Sequence, residues 1–509
     1  MSFPLRPTLL FLGLVLATSF ARAAQPLPPP PAPALTLGPL PDASLPERPP
    51  LTPELTRHIT DLIDGLTTLD KPDFGLSSTL SGSAFAPLPG QEEVGALLLT
   101  DHQLETSGAL KSLVALGPDA LPALLAALDD PRPTGIVVKH EEMFGGMWHA
   151  AEQPMNPVNP LEQRFYVPHR WDKFPFDDAT RNSVSSYTVK VGDACFVALG
   201  QIVGRQYLAI RYQPTACVIL NCPAHDPKLC AQVRAVWRSD DPRKTLFDSL
   251  RSDSATRGSI HGNQLDEGWG LGSELQCGAA LRLLYYFPSA GAPLAVERLD
   301  KLDARKDEPS GALRQYAANG LRTEEFIKAV AWSGEPAVRA ALVRLFERTD
   351  DADLALAALP AVADPEVVRQ RLEALLSAVS TDEDGSYGDT YGLLVALARR
   401  APEAARAAAE RLLHKARPPR CASVCFALQE VAVGWDKEVL GPLLADRRPL
   451  RETYPLVPEQ DQPRRPVRVC DEAALALCKH HPEWRFVQAG EHASLDRQIA
   501  RLRQQLRGK

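Results

Sequence analysis

Residues 107–130 read SGALKSLVALGPDALPALLAALDD, two short apolar-periodic stretches broken by a Gly-Pro-Asp corner. Leu110, Leu113 and Val114, then Leu121, Leu124, Leu125 and Leu128, recur at helical intervals and lay one apolar stripe along each of two predicted helices. Gly117 suits the left-handed position that ends a helix, and Pro118 is pre-set for the first turn of the next. A lone helical hairpin cannot bury those stripes. The stretch needs neighbours of its own kind, which pushes the whole chain toward packed helix pairs.

Such neighbours recur. Cys195, Phe196, Leu199, Ile202 and Val203 repeat the stripe, with Asp193 as the expected cap. Further helical stretches are predicted at 273–287, 292–302, 323–333, 335–348, from Asp364 onward, 392–400, 402–416, 423–433, 436–445 and 467–480, with a polar terminal helix from Ser494. The recurring device is Gly or Asp, then Pro, then a helix: a corner followed by a pre-formed first turn. At 509 residues the chain is long for one compact core. A repeat array escapes that limit, because each unit packs only on its neighbours.

Three of these stretches carry a resemblance. The run from Leu116-Gly117-Pro118-Asp119-Ala120-Leu121 to Leu128-Asp129-Asp130-Pro131 resembles the second half of a short HEAT-like repeat of bacterial α-solenoids. Glu335-Pro336-Ala337-Val338-Arg339-Ala340-Ala341-Leu342 resembles the element that opens the inner helix of such a unit. Val467-Arg468 with Glu472-Ala473-Ala474-Leu475-Ala476-Leu477 is a third instance. The resemblance spans roughly residues 100–480 and implies an all-α fold: an irregular α-solenoid of HEAT-like antiparallel helix pairs, with one mixed, aromatic-rich insertion. It also implies binding along a concave surface. HEAT-like units share no catalytic residues, so it carries no site.

The flanks set the compartment and the domain limits. Arg6 precedes an apolar run from Leu9 to Ala17, and Ala21-Arg22-Ala23 offers the small-x-small site of a signal peptidase, so residues 1–23 are expected to be a secretory signal. Loss of that leader takes the formal charge from −7 to −9, which with export argues against a nucleic-acid partner. Residues 24–53 read as a Pro-rich linker, with twelve prolines between Pro26 and Pro53, a composition that favours an extended, semi-rigid spacer. The remaining divisions are N-terminal helices with the first hairpin (54–135), a non-helical insertion (136–192), helical repeats (193–445), a Pro-rich loop (446–466) and a C-terminal repeat with its terminal helix (467–509). Short strands are expected in the insertion near 165–167 and 187–191, and its seven aromatic side chains between Met143 and Phe176 call for burial against the helices.

Chemistry is sparse. Cys217, Cys222, His225 and Cys230 form the densest ligand cluster, able in type to hold Zn²⁺, although an oxidising compartment favours disulfides and a helical context favours buried thiols. Nine cysteines leave at least one unpaired. The insertion gathers His140, His149 and His169 with Met143, Met147 and Met155, a thioether–imidazole set suited to Cu(I), while Met–aromatic packing explains the same residues. The acidic run at 382–389 lacks the EF-hand spacing, and no nucleophile elbow, zincin helix, P-loop or dinucleotide fingerprint occurs. The expectation is a binding or scaffold protein without cofactor, whose partner is another exported or envelope protein. The alternative is a metal-dependent enzyme or metal-binding protein with its site in residues 139–178.

Overall fold

The computed structural model describes residues 35–41, 43–70, 85–87, 107–140, 145–165, 183–212, 217–257, 271–302, 323–379, 387–452, 466–489 and 491–507. The leader, Met143, His169 and most of the acidic run at 382–389 lie outside the described residues. Within them, eighteen α-helices and a few short strands make the chain mostly helical.

Both helices of the predicted hairpin form at their expected places. Helix α1 (Pro53–Gly65) is followed by α2 (Gly108–Leu116) and α3 (Leu121–Ala126). Thr52 Oγ1 caps α1 by accepting from the N–H of Leu55 at 3.3 Å, and Ser107 Oγ caps α2 by accepting from that of Leu110 at 3.1 Å. All seven stripe residues are buried, six on α2 and α3 and Leu128 just beyond α3. Gly117 has positive φ (57°), as the sequence predicts, but its ψ of −122° lies outside the left-handed helical well. Only glycine fits there for a second reason: a Cβ would stand 2.3 Å from the Tyr286 ring. The stripes meet a third element, for α2 and α3 both pack on α4 (Val191–Val203). Nearly every residue of α4 is apolar or small and nearly all are buried, as befits a helix covered on all sides.

Strands surround this helical nucleus. The pairs are β1 (Thr36–Leu37) with β7 (Thr256–Arg257), and β2 (Pro133–Lys139) with β4 (Ser186–Lys190), both antiparallel. A three-stranded sheet of order β3-β6-β5 joins Gly146–His149, Cys217–Leu220 and Ile210–Tyr212, with β3 and β6 parallel. Along β2 alternate side chains are buried, the period-two signature of a half-covered strand. Helices α5 (Pro227–Trp237) and α6 (Pro242–Ala255) complete this half.

The rest is a double row of helices. In one row α7 (Leu271–Tyr286), α9 (Thr323–Ala331), α11 (Ala352–Ala358), α13 (Tyr387–Arg400), α15 (Pro418–Glu430) and α17 (Val469–His480) each pack on the next. In the other, α8 (Pro288–Lys301), α10 (Pro336–Arg348), α12 (Pro365–Ala378), α14 (Pro402–Leu413) and α16 (Asp436–Leu440) do the same, and the rows pack against each other. Proline opens every helix of the second row except α16, and Asp364 shows the cap in detail, its Oδ1 accepting from the N–H groups of Glu366 and Val367 at 2.8 and 3.3 Å. Strands β8 (Pro449–Glu452) and β9 (Pro466–Arg468) pair before α17, and α18 (His492–Arg507) closes the chain against α17. One apolar core runs through the rows from Cys277 to Leu502; a second fills the N-terminal half from Ile59 to Ala290. Helix α7 contributes to both.

Four expectations need correction. Asp193 is not the cap of α4: the helix starts two residues earlier, and Asp193 Oδ2 reaches back to accept from the N–H of Lys190 at 2.9 Å. The Pro-rich segment is no free spacer where it is described. Its β1 pairs with β7, the N–H of Gly38 donates to Ala255 O at 2.9 Å, and Arg243 of α6 donates to Pro46 O at 2.8 Å, so the segment straps α6. The repeat region 193–445 is interrupted by β5, β6 and β7, and the 446–466 loop contains β8. Of the two expected strands in the insertion, the second is β4; the first, near 165–167, lies outside the described residues except for Phe165, which ends a short 3₁₀ turn, Gln163–Phe165.

Candidate functional site

The parallel pairing of β3 with β6 brings the two candidate ligand clusters together. Its register sets Gly146 opposite Cys217 and His149 opposite Leu220. Beyond β6 the chain turns tightly, the N–H groups of His225 and Asp226 both donating to Cys222 O at 2.9 Å. Asp226 then caps α5, its Oδ1 accepting from Lys228 and Leu229. This turn lays the His225 ring on the His149 ring, with centroids 3.7 Å apart and planes within 16° of parallel. Tyr187 of β4 presents its ring edge to His149 at 5.4 Å.

Beneath the rings lies a buried polar knot. The Tyr187 hydroxyl donates to Asp193 Oδ2 at 2.7 Å, and the N–H of Ala224 donates to Asp193 Oδ1 at 3.3 Å. The Cys222 thiol donates to Ala209 O at 3.5 Å. One carboxylate thereby ties β4, α4 and the turn after β6 into one unit. Burial raises the pKa of the Asp193 carboxyl and of the Cys222 thiol, so Cys222 is no poised nucleophile. Burial raises the Tyr187 hydroxyl too, and Cys222 and Asp193 add to the effect. His149 moves the other way, down to about 4, through burial first and the neighbouring His225 second, so its imidazole is neutral at pH 7.

The ligand sets do not assemble as the sequence grouped them. Imidazole lone pairs lie in the ring plane, so stacked rings aim theirs side by side instead of at one ion. Cys222 faces Ala209, while Cys230 sits in the core of α5 and Cys217 on β6. His140 follows β2, in a different sheet from His149. Among the described residues no group of three or more His, Cys, Asp or Glu is arranged to hold a metal ion. The expected disulfide does not form either, for none of the nine cysteines is bridged.

A second polar cluster had no place in the sequence reading. Arg205, Glu162 and Asp253 are all buried. The Arg205 guanidinium donates through Nε to Glu162 at 2.9 Å, and through Nη1 and Nη2 to the two Asp253 oxygens at 2.7 and 3.0 Å. Asn156 Nδ2 adds bonds to Asp253 Oδ1 (2.8 Å) and Thr256 Oγ1 (3.0 Å), and Asn159 Nδ2 bonds Ser249 Oγ at 3.0 Å. One cation holds two carboxylates, and burial raises the pKa of Glu162 against the pull of Arg205. The signal was two Asn-Pro pairs in Asn156-Pro157-Val158-Asn159-Pro160, whose side-chain oxygens cap the turns at Val158 and Leu161. The cluster pins the insertion to α6 and to the end of α4.

No known family, curated protein or solved structure matches the chain. No helix among the described residues is long and apolar enough to cross a membrane.

Proposed function

We propose that this protein is an exported, irregular HEAT-like α-solenoid that works as a protein-binding scaffold without catalysis of its own. The observation that carries the reading is the double row of helices, each packed on the next of its row over one continuous core. Such an array presents long surfaces with little cost to stability, because binding residues stand on faces that the core does not use. The outward residues of α12 and α14 are charged, among them Glu366, Arg369, Glu403 and Arg406, as a solvated recognition face requires. The titratable knot around Asp193 supports the non-catalytic part. Its acid, thiol and phenol are shifted away from reactive forms by burial and are consumed in tying strands to helices. What favours the alternative, a metal-dependent enzyme or metal-binding protein at the insertion, is the meeting of His149 with the exposed His225.

The test places photo-crosslinking residues singly at outward positions of α10, α12, α14, α13 and α15 in the full-length protein, expressed in its native host. The scaffold reading expects adducts of one mass from consecutive helices of one row, and export of the chain with the first 23 residues removed. Adducts scattered without regard to row, or a metal-dependent turnover abolished in His149→Phe and His225→Phe, would overturn it.

A further inference from the structure

Helix α18 turns Leu495, Ile499 and Leu502 into the core against α17, so its apolar stripe is buried within the fold. What it leaves outside is Arg497, Arg501, Arg503 and Arg507, all exposed. Its one acidic side chain, Asp496, is held by Arg468 at 2.8 Å and by Arg447 at 3.3 Å. Directly outside the helix, Glu491 precedes it and Gly508 and Lys509 follow. In a chain with 63 acidic and 56 basic residues, this segregation does not come from composition.

Other helices settle their surface cations locally. Arg369 of α12 pairs with Glu373 at 2.7 Å, Arg406 of α14 with Glu410 at 3.1 Å, and Arg344 of α10 with Asp300 at 3.0 Å. Among the described residues, none of the four outward arginines of α18 is paired with a carboxylate. Arg497 stands one turn from Arg501, and Arg503 one turn from Arg507, the spacing at which like charges repel. The helix dipole favours cations only in the last turn, which accounts for Arg507 and its neighbours but not for Arg497 and Arg501. A helix that caps an array needs a polar outer face, not one of a single sign. The segment before α18 adds an apolar point. Gln498 clamps it, Oε1 accepting from the N–H of Val487 at 2.9 Å and Nε2 donating to Val487 O at 3.2 Å. Val487 is 62% exposed, more than any other large apolar side chain among those described, and Arg485 beside it is exposed too.

We propose that the outer face of α18, with Val487 at its flank, is a docking surface for an anionic lipid bilayer. Guanidinium forks match the paired oxygens of lipid phosphates, and each cation held near an anionic bilayer adds to the attraction. Four arginines along about 15 Å of helix call for a partner that presents many negative charges without a fixed shape. A protein partner would need an apolar centre to its interface, which Ala500, Gln504, Gln505 and one valine do not supply. Because its apolar stripe is committed to the core, α18 rests on the surface by charge and does not insert as a free amphipathic helix would. Val487 is the side chain placed to enter the headgroup layer. The surface does not depend on the scaffold reading, since it uses none of the helices that reading invokes for a protein partner.

The experiment is co-sedimentation of the full-length protein with vesicles of phosphatidylglycerol and phosphatidylcholine in equal parts, in about 0.1 M salt. The quantity read is the difference between wild type and variants with the same N-terminus, so the apolar run at 9–17 cannot produce it. Arg497→Gln with Arg501→Gln should weaken binding about tenfold or more. The thermal midpoint should hold or rise, since both residues are exposed and repel each other. Arg497→Lys with Arg501→Lys keeps the charge and should recover most of the binding, which separates charge from folding. On vesicles of phosphatidylcholine alone, or in about 1 M salt, where screening reaches about 3 Å, the difference should vanish. No difference on the mixed vesicles, the same difference on phosphatidylcholine, or a lysine variant as weak as the glutamine one would overturn the proposal. Capture of the protein by immobilised poly-glutamate as tight as by the mixed vesicles would also overturn it, and would assign the face to an acidic protein segment.

Discussion

The two cores of this molecule are held by different kinds of force. Around α4 the insertion, strands and strap are fixed by directional bonds among buried polar groups: Asp193 with Tyr187, and Arg205 with Glu162 and Asp253. In the double row beyond α7 the apolar core is mostly aliphatic, with buried charge among the described residues confined to its C-terminal end, where Arg468 pairs with Asp471 and His481 with Asp436. Small alanines such as Ala341, Ala355, Ala405 and Ala409 let helices approach closely, and leucines such as Leu342, Leu372 and Leu397 fill the space between them. Irregular backbone needs specific partners, because a buried loop carries donors and acceptors that no helix ladder satisfies. A helical row satisfies its own backbone and asks only for apolar faces of about the right size. The first arrangement specifies one geometry; the second tolerates a degenerate sequence.

The comparison breaks most sharply at Arg205. Replacing it with Met strands two buried carboxylates and should cost about 3–5 kcal/mol in urea unfolding, whereas replacing all three members by Met, Gln and Asn should recover most of that loss. If the single variant cost under about 1 kcal/mol, the triad would not be what pins the insertion. In the double row, Leu342→Ala removes a fully buried side chain between α10 and its neighbours and should cost about 3 kcal/mol by cavity formation alone. A nearby substitution that refills the space should restore it, which no packing change can do for Arg205.

The smallest expected effect is a pH dependence confined to the N-terminal half. His149 is held below its unfolded value of about 6.5, near 4, so the unfolded chain binds more protons between those limits. Stability is therefore complete above pH 6.5 and falls on acidification toward pH 4, by on the order of 1 kcal/mol once the ring's partial exposure is discounted. His149→Phe keeps the stack on His225 and should flatten that slope; an unchanged slope would assign it to other groups.

The sequence was most legible where the fold is most local. Pro336, Pro365 and Pro402 each open a helix, and Asp364 caps one, because capping is decided within four residues. The row stripes, Val338 with Leu342 and Leu345 for example, declare their buried face by spacing alone. What failed to show was non-local. Nothing in Met147-Trp148-His149 announces a parallel partner in residues 217–220, since a parallel pair is joined by a long crossover and carries no turn signal. Hence the sequence presents the two ligand clusters as separate, while His149 and His225 share one stack. Arg205 likewise follows a helix-ending glycine like any exposed cation, and only its partners from Glu162 and Asp253 reveal it as buried. The strap from Leu35 to Pro46 was hidden by its composition, because a proline-rich segment can lie extended along a helix as readily as in solvent.

Hydrogen–deuterium exchange on the full-length protein, wild type against Arg205→Met, tests most directly whether the two halves stand on separate supports. The account expects the variant to lose protection in β3, α4 and α6, while α10, α12, α14 and α15 exchange as in the wild type. Equal loss of protection across both cores would contradict it, and would mean that α7 couples them into one cooperative unit.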